Sequence, residues 1–135
     1  MLNISVEHEQ GATPVAIMRL EGELDQSNYL DVVSRARELR EAGTRNVLLD
    51  LSGLTYMGSS GIFALRSIAI VLSGDEPPDP EAGWGAVHEL EGRSADTSRV
   101  KILDPQPPVD RVLERTGMKR YFETFTDREA AVAAF

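Results

Sequence analysis

Two adjacent serines between glycines, in the run Gly58-Ser59-Ser60-Gly61, are the residues of this sequence best placed to do chemistry. They follow the apolar run 47–49, which is typical of a strand buried on both faces, and they open an apolar segment too long for an ordinary strand. A serine hydroxyl can accept hydrogen bonds from the unpaired amides of a helix start, so one interpretation is that Ser59 or Ser60 caps a helix. The other is that one hydroxyl is displayed at a strand's carboxyl end, where a kinase can reach it.

The same serines allow two other kinds of chemistry. A serine nucleophile needs an adjacent base, but His8 is predicted in the first strand and His88 in an irregular segment. The spacing also misses the nucleophile elbow G-x-S-x-G by one residue, so we expect a protein that is not an enzyme. A helix start can also hold a small anion or a nucleotide on its amides, although neither glycine-rich nucleotide motif is present. Small-anion binding therefore remains an alternative function.

Composition excludes several classes of function. A chain of 135 residues with 41% hydrophobic and 27% charged residues is typical of one soluble globular domain. The net charge of −8 argues against a nucleic-acid surface, and two distant histidines without cysteine predict neither a metal site nor a cofactor. No uncharged apolar run approaches the roughly 20 residues of a membrane helix, and the first residues lack a signal-peptide pattern. We therefore expect a cytoplasmic protein.

The rest of the chain predicts strands and helices that would position the serines. Strands are expected at 2–7, 15–20, 45–51, 99–103 and 121–125, and helices at 28–42, after Ser59, at 109–116 and after Asp127. A short turn between the first two strands favours an antiparallel hairpin. Asp25 or Ser27 would cap the first helix, and Gly43 would end it. This order predicts an α/β fold in which about four helices pack on a mixed, mostly parallel sheet of four to five strands.

The motifs around the serines resemble the signature of the STAS domain, the family of bacterial anti-sigma factor antagonists. In that family a strand ends in a pattern close to D-L-S-x-L-x-x-M-D-S-S-G, and a preceding strand ends in G-E-L-D. The residues that fall in register here are Asp50-Leu51-Ser52, Leu54, Met57, Ser59-Ser60-Gly61 and Gly22-Glu23-Leu24-Asp25. The resemblance covers residues 1 to about 72 and resumes at about 99, which implies the STAS fold and a single domain over 1–135.

The resemblance also implies a function and assigns roles to residues. Ser59 matches the family's phosphorylated serine, Asp25 matches an acidic residue near the phosphorylation pocket, and Ser60 and Gly61 complete the surroundings. The implied protein sequesters an anti-sigma factor that is also a serine kinase and so regulates transcription, while a serine phosphatase resets the serine. Gly58 stands where the family has aspartate. We therefore expect phosphorylation of Ser59 to be slow or absent, and in the latter case a constitutive binder or scaffold subunit.

The helix after Ser59 is apolar on more than one face. Ile62 lies on the arc expected to pack on the sheet, but Phe63 and Ile70 lie elsewhere, around Arg66. One interpretation is that the following loop covers these side chains. The other is that Ile62, Phe63, Arg66 and Ile70 form a partner-binding surface beside Ser59, because contiguous exposed apolar surface usually marks an interface. The partner is then the anti-sigma factor, or a second copy of the chain in a homodimer.

Residues 73–98 form an acidic, proline-rich insertion that the resemblance does not cover. Between residues 75 and 96 there are seven acidic residues and one arginine, which give a net −6 of the chain's −8. Such a composition favours a solvated loop, because it offers little apolar surface to offset the entropy of ordering. Trp84, Val87 and Leu90 argue that its second half docks or pairs.

Overall fold

The structure, a computed structural model, describes residues 2–77 and 97–135 of the chain. Its strands form one sheet in the order β1-β2-β3-β4-β5. The first strand is antiparallel to the second, and the other neighbouring pairs are parallel, which confirms the mixed sheet and the hairpin. The strands are β1 (Leu2–Gln10), β2 (Pro14–Leu24), β3 (Val47–Met57), β4 (Val100–Leu103) and β5 (Thr124–Phe125).

Helices alternate with the parallel strands, as the sequence predicts. Those among the described residues are α1 (Tyr29–Glu41), α2 (Ser59–Leu72), α3 (Pro107–Arg115) and α4 (Arg128–Ala133). A short 3₁₀ turn at Met118–Arg120 precedes β5, so the last strand begins three residues later than the predicted 121. None of the described helices is both long and apolar enough to cross a membrane.

Strands β2 and β3 are longer than predicted, and most residues of the two sequence motifs lie within them. The prediction ended them at residues 20 and 51, whereas they run to Leu24 and Met57. Their polar and glycine residues do not suggest a strand, but the two backbones stay paired to the last residue of each, across two register shifts. Irregularities of this kind let a ladder continue through residues that fit a regular strand poorly. The serines therefore follow the end of β3 directly.

Two of the predicted helix caps are wrong, and the predicted end of the first helix at Gly43 is confirmed. The residue before α2 is Gly58, in an extended conformation, and neither Ser59 nor Ser60 caps the helix. The residue before α1 is Asn28, rather than Asp25 or Ser27. Asp127 does cap α4, because its carboxylate accepts a hydrogen bond from the amide of Ala130. Gly43 has φ of 103°, as expected of a glycine that ends a helix.

Helices cover both faces of the sheet. On one face, α1, α2 and α3 bury the main core, in which Leu20, Leu49 and Ile102 of the central strands meet apolar residues of these helices. On the other face, Ala131 and Val132 of α4 pack against Ile17, Leu48 and Leu103. The three central strands are therefore covered on both sides, which agrees with their nearly continuous apolar sequence.

Candidate functional site

The two sequence motifs meet at the carboxyl ends of β2 and β3. Leu24 and Met57, the last residues of these strands, are register partners. The amide of Gly58 continues the pairing, because it donates a hydrogen bond of 3.0 Å to the carbonyl oxygen of Leu24. Asp25 and Gly58 therefore leave neighbouring strands side by side, and the turn that begins at Asp25 lies beside the start of α2.

Ser59 is the exposed first residue of α2, and Ser60 is half-buried. No side chain caps this helix start. Because the first amides of a helix lack intrahelical partners, the start of α2 combines unpaired N–H groups with the positive end of the helix dipole. Of the two interpretations of the serine pair, the structure supports the displayed hydroxyl.

Asp25 holds the turn beside the serines. Its carboxylate oxygen Oδ1 accepts hydrogen bonds from the hydroxyl of Ser27 at 2.5 Å and from the amide of Ser27 at 2.9 Å. Asn28 braces the same turn, since its side chain accepts from the amide of Asp25 and donates to the carbonyl oxygen of Glu23. The hydroxyl of Ser27, followed by its amide, lowers the pKa of Asp25. Asp25 therefore places a negative charge beside Gly58 at neutral pH, but its carboxylate is bonded to Ser27 rather than to Ser59.

Tyr56 lies close against the position that a side chain at residue 58 would take. A Cβ atom built on Gly58 would lie 3.2 Å from the hydroxyl oxygen of Tyr56 and 3.5 Å from its ring carbon Cε2. The phenol is 52% exposed and lies across Gly58. The backbone at Gly58 does not require glycine, because its φ of −86° and ψ of −177° suit any residue. The departure from the family pattern at position 58 thus leaves room for a neighbouring side chain.

The contribution of Tyr56 was missed from the sequence. Residues 56 and 58 alternate as strand neighbours only if β3 continues to Met57, and the polar motif hides that continuation. The sequence feature that could have indicated this contact is a glycine, Gly58, placed two residues after an aromatic residue, Tyr56.

Gly61 fixes the first turn of α2 against the strand ends. It is buried, and a Cβ atom built there would lie 2.5 Å from Cγ of Met57 and 3.1 Å from Cδ2 of Leu24. Separations below about 3 Å do not occur between such atoms, so this close approach needs glycine. Gly61 therefore sets how close Ser59 lies to the sheet edge.

A mixed aromatic and apolar surface extends from Ser59 along α2. Phe63 packs edge-to-face against Tyr29 of α1, with ring centroids 6.0 Å apart and an interplanar angle of 86°. The guanidinium carbon of Arg66 lies 5.7 Å from the centroid of the Tyr121 ring, in a cation–π contact. Ile62, Phe63 and Arg66 are half-buried, and the exposed ring of Tyr121 flanks Arg66. We call these residues the α2 surface: Ile62, Phe63, Arg66 and Tyr121.

Ile70 does not belong to the α2 surface. The sequence analysis grouped it with Phe63 and Arg66, but only 3% of Ile70 is exposed. The pattern of one helix underestimates burial here, because it cannot report which apolar side chains the rest of the chain covers. The neighbouring residue Val71 shows this directly, since it is buried in a cluster with Val33 of α1 and Ala64.

His8, one of the two histidines that could act as the base of a serine nucleophile, is far from both serines. His8 pairs with Ala16, which pairs with Val47 at the opposite end of β3 from Met57. At about 3.3 Å per residue, that end of the strand is roughly 30 Å from Ser59. His88, the other candidate base, lies outside the described residues. The parts of the chain at 2–77 and 97–135 contain no group of three or more acidic or histidine residues that could hold a metal ion.

Comparison with protein families agrees with the two motifs. The STAS domain profile matches residues 3–72, a little more than half of the chain and the part that carries both motifs. The chain therefore belongs to the STAS domain family. No curated protein matches the sequence significantly.

Solved structures of anti-sigma factor antagonists share the fold over nearly the whole chain. An antagonist from Mycobacterium paratuberculosis has a TM-score of 0.66 at 15% identity, over 99% of this chain and 93% of that one. SpoIIAA in its unphosphorylated form has a TM-score of 0.57 at 21% identity, over 94% and 93%. The Bacillus cell fate determinant SpoIIAA in its phosphorylated form has a TM-score of 0.51 at 20% identity, over 94% and 96%. At these identities the likeness establishes the fold.

Proposed function

We propose that this protein is an anti-sigma factor antagonist that acts in the cytoplasm and is switched by phosphorylation of Ser59. The observation that carries the proposal is the exposed Ser59 at the uncapped start of α2, within the STAS signature. Unmodified, the protein binds an anti-sigma factor that is also a serine kinase, and it so releases a sigma factor for transcription. A serine phosphatase then restores Ser59. Solved antagonists of the same fold, one of them phosphorylated, support this proposal.

The switch follows from the charge that phosphorylation adds. The kinase transfers the γ-phosphoryl group of ATP to Oγ of Ser59: the bond from phosphorus to ADP breaks, the bond to Oγ forms, and a base of the kinase takes the hydroxyl proton. The product carries about −1.5 to −2 charges. At a helix start this charge is stabilised by about 0.3–1 kcal/mol, so the domain stays folded. A partner that covers Ser59 must instead desolvate the charge, and its binding weakens.

The α2 surface is the proposed contact for the anti-sigma factor. It joins aromatic, aliphatic and guanidinium groups next to Ser59, and tyrosine and arginine are enriched at the energetic centres of interfaces. In the unbound protein Phe63 already packs on Tyr29, and Arg66 already packs on Tyr121. Binding therefore has to immobilise few additional side chains, which lowers its entropic cost. Two copies of the chain could also pair through their α2 surfaces to form a homodimer. The anti-sigma factor would then compete with this pairing and dissociate the dimer.

The decisive experiment combines the protein with ATP, magnesium and each candidate serine-kinase anti-sigma factor of the same cell. Peptide mass spectrometry locates the phosphate, and pull-down measures binding before and after the reaction. We expect one phosphate, on Ser59, and loss of the complex. Ser59→Ala should bind and stay unmodified, whereas the neighbouring control Ser60→Ala should behave as the wild type. A phosphate on another residue, or a complex that survives phosphorylation, contradicts the switch.

Stable binding without modification would identify a constitutive antagonist or scaffold subunit instead. Gly58, which carries no acid beside Ser59, is the observation that favours this second function.

Gly58 predicts that phosphorylation is slower than with an acid at this position. Gly58→Asp fits the extended backbone, and the exposed phenol of Tyr56 can move away from the new side chain. A carboxylate there can orient the accepting hydroxyl, so we expect a faster initial rate with the cognate kinase. Gly58→Asn is the matched control, because it has nearly the same shape without the charge. Equal rates for the aspartate variant and the wild type would refute the prediction.

A further inference from the structure

We infer that the hydroxyl of Tyr56 donates a hydrogen bond to the phosphate on Ser59, which makes Tyr56 a positioning residue for the phosphorylated state. The inference rests on the proposed modification of Ser59 and assigns to a neighbouring residue the recognition of its product.

The geometry brings the phenol to the residue directly before the one that carries the phosphate. Tyr56 leaves β3 one residue before its end, and its ring folds across Gly58, the residue directly before Ser59. The hydroxyl oxygen lies 3.2 Å from the position that a Cβ atom of Gly58 would take. Both Tyr56 and Ser59 are exposed, so a phosphate can enter the space between them. Within the described parts of the chain, no group accepts a hydrogen bond from this hydroxyl.

The charges around Ser59 make a neutral donor important. The first turn of α2 is formed by Ser59, Ser60, Gly61 and Ile62, and it carries neither an acidic nor a basic side chain. The adjacent turn contributes the carboxylate of Asp25, whose pKa is lowered by Ser27 and which is therefore negative at neutral pH. The helix amides and nearby hydroxyl groups are thus the donors available to a phosphate, against one nearby carboxylate. The phenol of Tyr56 adds a donor on the side where Gly58 has no side chain.

In the phosphorylated protein, Gly58 would help to hold the phosphate, because it has no side chain between the phenol of Tyr56 and Ser59. An acidic side chain at this position would crowd the phenol and repel the phosphate, whereas glycine leaves room for the donor. A donor beside a phosphate stabilises the doubly charged form and lowers the second pKa of the phosphoserine. An added carboxylate raises that pKa, so the two arrangements differ in a measurable direction.

The test uses protein with phosphoserine placed at position 59 by genetic code expansion, so that no kinase is needed. The second pKa of the phosphate is read from a ³¹P NMR titration of the full chain. We expect Tyr56→Phe to raise this pKa by about half a unit, which is the size expected for one lost hydrogen bond at an exposed site. Gly58→Asp should raise it as well, because it displaces the phenol and adds a like charge.

The control is Tyr121→Phe, because Tyr121 is equally exposed, at 54%, and contacts Arg66 farther along the molecule. It should leave the phosphate pKa unchanged. A Tyr56→Phe titration that superimposes on the wild type overturns the inference, and so does an equal shift in Tyr121→Phe. Thermal unfolding of the unphosphorylated Tyr56→Phe variant should match the wild type, which separates a donor from a structural role. If no kinase ever modifies Ser59, the proposed function fails, but the titration still reports on Tyr56.

Discussion

Gly61 packs the first turn of α2, which begins at Ser59, against the ends of the strands. A methyl group there would meet the side chain of Met57 at 2.5 Å, inside a contact that also includes Leu24. We predict that Gly61→Ala lowers the free energy of unfolding by about 1–3 kcal/mol, the usual cost of overpacking. Urea unfolding measures the loss. Ser60→Ala, in the same helical turn, should change stability by less than about 0.5 kcal/mol. Equal stability of the two variants would show that the strand ends can yield.

The buried hydroxyl of Ser67 does not stabilise the fold. The residue is fully buried in α2, and its Oγ has no hydrogen-bond partner among the described residues. We predict that Ser67→Ala raises the free energy of unfolding by up to about 1 kcal/mol, because an unsatisfied buried hydroxyl is removed and alanine favours the helix. Exposed Ser34 of α1 provides the control, since Ser34→Ala changes helix propensity alone. A destabilised Ser67→Ala would indicate that the hydroxyl has a partner.

At the scale of elements, the turn from β2 into α1 depends on the bond between Asp25 and Ser27. We predict that Ser27→Ala raises the pKa of Asp25 toward 3.8, because the side-chain hydrogen bond from Ser27 is the largest cause of its lowering. The lowered pKa means that this bond stabilises the fold at neutral pH and that its contribution is lost as pH falls below 3.8 through the folded-state pKa. Carboxyl NMR titration measures the change, and Ser34→Ala should leave it untouched. No change in Ser27→Ala would assign the shift to backbone bonds.

The order of elements was predictable from the sequence, whereas their ends were not. Apolar runs such as 47–49 and the periodicity of α1 depend on burial, which the residue types report directly. The ends of β2 and β3 depend on pairing between two backbones, which continues through polar and glycine residues that look like loops. The same limit applies to the site: Ser59 and Asp25 follow from their motifs, but Tyr56 reaches Gly58 only because β3 extends to Met57.

Helix α2 shows why the partner-facing side chains could be predicted only in part. Its sequence is apolar nearly all round, and a single helix pattern cannot tell which apolar residues a second helix covers. In the structure α1 buries Ala64 and Val71, while Ile62 and Phe63 stay half-exposed beside Ser59. Which apolar side chains of α2 are buried therefore depends on how the helices and the sheet pack together, and the sequence of α2 alone does not specify it.

At the scale of the molecule, the last helix closes the back of the sheet and ties it to the first strand. Val132 packs on Ile17 and Leu48, and Arg128 forms ion pairs with Glu7 at 2.8 Å and Glu9 at 3.0 Å. These carboxylates raise the pKa of Arg128, in the order Glu7 and then Glu9. The pairs are largely exposed, so packing of Val132 and its neighbours, rather than charge, holds α4 in place.

The domain should not need the acidic insertion in order to fold. The described sheet and the three apolar clusters are formed by residues 2–77 and 97–135, and the start of β4 lies next to Val47 of β3. We predict that replacing residues 78–96 with a short glycine-serine linker preserves cooperative thermal unfolding. The replacement removes five acidic residues and one arginine, so the net charge changes from −8 to −4.

A variant with residues 78–96 in scrambled order is the matched control, because it keeps length, composition and charge. If both variants unfold as the wild type does, the order of residues in the insertion is not needed for the fold, and their affinities for the anti-sigma factor then report its role in binding. If the insertion has no role in binding, both variants should bind the anti-sigma factor with the affinity of the wild type. Loss of cooperative unfolding in both variants would instead make residues 78–96 part of the domain's core, and the single domain would then require its whole sequence. Loss of affinity in both variants, with folding intact, would make the sequence of the insertion a second contact beside the α2 surface.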